Sequence, residues 1–195
     1  MSFSFELSIE IATACKELRK SDIDLLVGEL RIPREIITDQ LIGRTRVRRC
    51  AESLYEPDPD GNSFAYVTPV RLHYAETPES CDPERAVRCG EIIDIIAWHP
   101  EYPTRWALRT GLATWAGAIQ PQYLRPERVR FWRTPLRWLQ EGCIGIVLLS
   151  SERPDHYRIL THCVGGIVPE NELHSAELKR SLQCPYAMPE VRCGH

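Results

Sequence analysis

The chain of 195 residues carries 24 Lys and Arg against 27 Asp and Glu, a formal net charge of −3, with 43% hydrophobic and 26% charged residues. These proportions are ordinary for a globular protein and supply a core without disulfides or metals. They exclude a uniformly basic coat for long nucleic acids, and no apolar run approaches the ~20 residues of a bilayer span.

At the N-terminus, Leu7, Ile11, Ala14 and Leu18 recur at helical spacing among good helix formers, which predicts a helix ending near Lys20. Glu6 and Glu10 stand where the apolar segment of a secretion signal would lie, so a cytoplasmic location is expected. Ser21 can cap a second helix whose stripe runs through Ile23, Leu26, Val27 and Leu30. Pro33 breaks it and starts a third short helix over residues 33–41, stopped by Gly43.

Residues 45–50 then read as a strand bearing alternating arginines. Pro57, Pro59 and Asp60-Gly61 make a turn, and residues 64–72 return as the second strand of a hairpin. Three short helices followed by a hairpin is the element order of a winged helix, in which the third helix would enter the major groove. Residues 77–88 are polar and proline-bearing, the pattern of a linker or surface loop.

All five tryptophans, Trp98, Trp106, Trp115, Trp132 and Trp138, fall within residues 92–149. That window opens and closes on β-branched-rich runs, 92–98 and 144–149, which predict buried strands. A short return strand is expected at 105–109, and 112–119 reads as a tightly packed helix or a loop. Residues 129–132 read as an edge strand. Pro135 starts a helix that Gly142 stops. A helix through Tyr157, Leu160 and Cys163, a short strand at Ile167-Val168 and a last helix over 170–183 complete the chain. The fold class is therefore α+β: a short helical N-terminal region, winged-helix-like in order, followed by a mixed-sheet core with flanking helices. Residues 1–75 are the helices plus hairpin, 76–90 the linker, and 91–195 an aromatic-rich α/β core.

No phosphate-cradling glycine loop, nucleophile elbow or His-Glu-x-x-His motif is present. The eight cysteines include no C-x-x-C pair, and His162-Cys163 with Cys184, Cys193 and His195 lacks the two-ligand knuckle from which structural zinc sites start. No metal, cofactor or catalytic residue is assigned. Two clusters point to a partner surface instead: Arg44, Arg46, Arg48 and Arg49, and then Arg125, Arg128, Arg130, Arg133 and Arg137 with Trp132. Arginines beside aromatic rings hold single-stranded nucleic acid without sequence preference, and also anchor protein interfaces. The expected function is that of a non-enzymatic accessory or interaction protein contacting nucleic acid or a protein, with no membrane role. The alternative is an enzyme in which Cys143 or Cys163 acts with His99, His156 or His162.

Overall fold

The computed structural model describes residues 3–39, 41–51, 53–61, 63–72, 90–117, 128–163 and 165–183. The first helix, α1, spans Phe3–Lys16 and buries Leu7, Ile11 and Ala14 of the expected stripe, but ends before Leu18 rather than near Lys20. A short helix α2 (Lys20–Asp24) runs directly into a π-helical turn, Leu25–Glu29, and α3 (Arg34–Thr38) follows Pro33. The N-cap of α2 is Arg19 rather than Ser21, with the Asp22 side chain accepting the Arg19 N–H at 2.9 Å.

Five antiparallel strands follow: β1 (Gly43–Arg49), β2 (Tyr55–Pro57), β3 (Ser63–Leu72), β4 (Glu91–Trp98) and β5 (Trp106–Leu108), in the order β2-β1-β3-β4-β5. The sheet curls into a half-barrel. Its outer strands approach one another: Leu54 bridges to Leu108, and the Leu108 N–H donates to Ser53 O at 2.8 Å.

One face of the curled sheet packs under α1, where Val67, Ile92 and Ile95 meet Leu7 and Ile11. The other face, with Tyr66, Val70, Ile96 and Trp98, joins the helical segment from Leu26 to Ile42 and the second sheet in the larger core. The indole N–H of Trp98 donates to Thr68 Oγ1 at 3.1 Å. Buried Asp94 accepts four backbone N–H groups, from Ile95 and Thr110 on one oxygen and Leu112 and Ala113 on the other. That one carboxylate gives the chain after β5 its shape, because each of those amides needs an acceptor once buried.

The second sheet, β6-β8-β7-β9, comprises β6 (Trp115–Gly117), β7 (Val129–Trp132), β8 (Ile146–Leu148) and β9 (Ile167–Val168). Strands β7, β8 and β9 are parallel, with β6 antiparallel on β8. Helices α4 (Pro135–Gln140), α5 (Arg153–His162) and α6 (Glu172–Leu182) serve as the connections and the final element. Thr134 caps α4 by accepting the Arg137 N–H, Gly142 follows it at φ +70°, and Asn171 caps α6.

The α+β class with a helical start and flanked sheets is thus observed. The winged-helix arrangement is not: β3 continues the hairpin into β4, α1 occupies one sheet face, and Ile36 and Ile37 of α3 are buried. Strands on either side of residues 76–90 pair in one sheet, and that segment, Gly90 apart, lies outside the described residues. Three smaller expectations are corrected. Strand β7 is central rather than an edge, because β9 pairs on its far side. Residues 115–117 form a strand. A short strand, β2, sits inside the long hairpin tip. No helix among the described residues is long and apolar enough to cross a membrane.

Candidate functional site

On β1 the arginines divide by strand alternation. Arg44, Arg46 and Arg48 share one face, and Arg49 points to the other, opposite Tyr55 of β2. The guanidinium of Arg44 lies 3.7 Å from the Phe64 ring centroid and 3.4 Å from Asp22. Arg46 sits 5.0 Å from the same ring and donates to Gly61 O. Arg48 pairs with Glu56 at 3.0 Å and approaches Asp58 at 3.9 Å. Arg49 donates from Nε to Ala51 O.

The second cluster is likewise tied to its own chain. Arg133 pairs with Glu177 at 2.7 Å, and Arg137 with Glu141 at 3.0 Å and Glu170 at 3.8 Å. Arg130 and Arg137 stack over Trp132 at 5.3 and 5.5 Å, but that indole is only 4% exposed and donates to Ile144 O. Trp132 is therefore a wall of the core and offers no open platform. Arg128 and Arg130 are exposed, while Arg125 lies outside the described residues. Arg44, Arg48, Arg133 and Arg137 all face acids of this chain, so their charge is largely neutralised at home.

Two cavities are lined by cations of this surface. The first, about 530 Å³, opens at one end of the curled sheet. Its floor is Val47, Ala65, Ala97 and Ala107, on the face that α1 covers elsewhere, and no α1 residue lines it. Its rim carries Arg49, His99, Glu101, Tyr102, Arg105 and Trp106. The second, about 730 Å³, is a cleft between the two sheets. It is walled by Arg49, Arg105 and Trp106 on one side and by Trp132, Arg133 and Ser150 on the other.

Arg49, Arg105 and Trp106 line both cavities, and the Trp106 indole N–H donates to Leu149 O at 3.3 Å, so the two cavities share these side chains as a common wall. The cleft thus brings together Arg49 of the first predicted cluster with Trp132 and Arg133 of the second. Arg105 and Trp106 were not among the predicted site residues. Their only signal in the sequence is an Arg-Trp pair just after Pro103. Arg105 makes no ion pair with a described residue, and its guanidinium lies 5.9 Å from the Tyr102 ring.

The far end of the cleft is imidazole- and hydroxyl-bearing. His156 Nε2 donates to Ser150 O at 2.6 Å, and its Nδ1 lies 3.3 Å from Ser181 Oγ. His174 is buried and accepts the Glu170 N–H at Nδ1; burial holds it below the usual histidine range despite nearby Glu170 and Glu177. The two thiols expected as nucleophile candidates, Cys143 and Cys163, are both buried. Cys163 donates to Ile159 O, and burial pushes it, like Cys15, up to about 11. Such thiols stay protonated at neutral pH and act as packing groups. Cys184, Cys193 and His195 lie outside the described residues, and among those described no three His, Cys, Asp or Glu side chains converge as metal ligands.

Comparison with protein families, with curated proteins and with solved structures finds no match for this chain.

Proposed function

We propose that this chain is a non-enzymatic binding protein whose site is the concave surface around Arg49, Arg105 and Trp106, which line both cavities. The favoured partner is a short stretch of single-stranded nucleic acid. The observation that carries this reading is two guanidinium groups and the half-buried Trp106 indole lining two adjoining concave surfaces. Cations beside aromatic groups in a groove are the usual means of holding an unpaired strand, phosphates on the arginines and bases against rings. The net charge of −3 and the internal pairing of Arg44, Arg48, Arg133 and Arg137 limit the footprint to a few nucleotides.

The test is fluorescence anisotropy of a labelled single-stranded octanucleotide titrated with the protein across a salt series. Two phosphate contacts predict that log K falls against log salt with a slope of about −1.4. The double variant Arg49→Gln/Arg105→Gln should abolish the signal. Absence of binding at low salt, or binding indifferent to salt, would sink the reading.

A further inference from the structure

We propose that the mouth of the curled sheet, the 530 Å³ cavity, is a pocket for a single planar ring carrying an anionic group, of the nucleotide class. This rests on the reading above and says where one base of the partner goes.

The floor is the first ground. Ala97 of β4 and Ala107 of β5 are direct cross-strand partners, and Ala65 lies on the same face of β3. Alanine is a poor strand residue, and a buried sheet position is better filled by valine or isoleucine. Under α1 the same face uses larger groups, Val67, Ile92 and Ile95. Ala65 and Ala97 are buried and Ala107 half-buried, so the cavity meets a shallow floor of methyl groups where larger side chains stand under α1. A flat apolar body fits such a floor.

The rim is the second ground: two arginines against one acid, Glu101, favour an anionic group on the ligand. Arg49 and Arg105 stand at the side shared with the cleft. The Tyr102 ring, 54% exposed, lies 5.9 Å from the His99 ring, so two rings edge the floor. His99 Nδ1 accepts the Glu101 N–H at 3.2 Å. The proton of the neutral imidazole is therefore on Nε2, which is left as a donor. A ring on the alanines would meet Tyr102 at its edge, and its phosphate would reach the paired guanidiniums. The volume suits one nucleotide, within the about 300–1,000 Å³ of small-molecule sites.

The experiment titrates the 195-residue chain with adenosine 5′-monophosphate, with inorganic phosphate and with decanoate, followed by tryptophan fluorescence and calorimetry. The nucleotide should bind at least ten times more tightly than phosphate. Ala107→Leu, which fills the floor, should cost tenfold or more in nucleotide affinity with little change for phosphate. Tyr102→Ala, at an exposed position that no core depends on, should cost severalfold and serves if Ala107→Leu does not fold. Equal affinity for nucleotide and phosphate, indifference to both substitutions, or preference for decanoate overturns the inference. Should the octanucleotide still bind and still depend on Arg49 and Arg105 while Ala107→Leu changes nothing, the pocket falls and the groove stands. If neither nucleotide nor octanucleotide binds, both fall.

Discussion

Asp94 Oδ2 accepts the backbone N–H of Ala113 at 3.1 Å, joining the middle of β4 to a residue nineteen positions further on. The same carboxylate also takes the N–H groups of Ile95, Thr110 and Leu112, and its residue is fully buried. Asp94→Asn would turn an amide NH2 toward amide donors. The expected loss is roughly 2–3 kcal/mol, the cost of leaving buried donors unanswered. Urea unfolding of the two proteins measures it, and an unchanged midpoint would show that the loop after β5 holds itself.

Thr68→Val keeps the shape of the side chain and removes the acceptor of the Trp98 indole N–H. Both residues are buried, so the orphaned donor should cost about 1–3 kcal/mol. Thermal unfolding should drop accordingly, with secondary structure intact by circular dichroism.

Gly43 begins β1 where α1 crosses it, and a Cβ there would lie 2.6 Å from Ala14 Cβ and 2.7 Å from its carbonyl carbon. Neither atom can step aside without moving the helix. Gly43→Ala should therefore destabilise by about 1–3 kcal/mol through overpacking. A substitution that proved neutral by calorimetry would mean α1 slides freely on the sheet.

Two groups shifted by burial, half-buried Glu10 and buried His174, give stability opposite slopes with pH. Burial raises the Glu10 carboxyl above 4.5, in spite of the Arg109 guanidinium at 3.0 Å and the Tyr55 hydroxyl. Just above pH 4.5 the folded chain then holds more protons than the unfolded one, so stability falls as pH rises through that window. His174 is held below 6.5, so in the window beneath that value the unfolded chain holds more protons and stability falls as pH drops. Glu10→Gln should flatten the first slope and His174→Gln the second, in unfolding curves taken every half unit of pH.

Arg48 and Arg137 already face carboxylates of their own chain. Replacing both with Gln should change octanucleotide affinity by less than about twofold, as exposed ion pairs carry little energy. A loss as large as that of Arg49→Gln/Arg105→Gln would place the strand elsewhere.

The parts of the fold fixed by short-range chemistry could be read in advance. The buried run of β4, the turn at residues 57–61, the Thr134–Pro135 start of α4 and the Leu7–Ile11–Ala14 stripe all follow from periodicity or capping. The central place of β7 could not, because only the far-off β9 turns Val129 and Arg130 into interior ladder positions. The site was half visible. The arginine clusters were plain, but whether Arg48 or Arg133 meets solvent or an acid is decided by Glu56 and by Glu177, and the latter lies 44 residues away. Arg105 and Trp106 gain their place only once β5 curls toward β2.

That curl, sealed by the Ser53–Leu108 hydrogen bond and the Leu54 bridge, has a corollary for how any partner attaches. Where the two margins of the half-barrel touch, at Ser53, Leu54 and Leu108, little backbone is left unspent, so adding a foreign strand at that seam is disfavoured. Under the proposed reading, recognition would then fall to side chains, and a handful of substitutions could redirect it without touching how the chain folds.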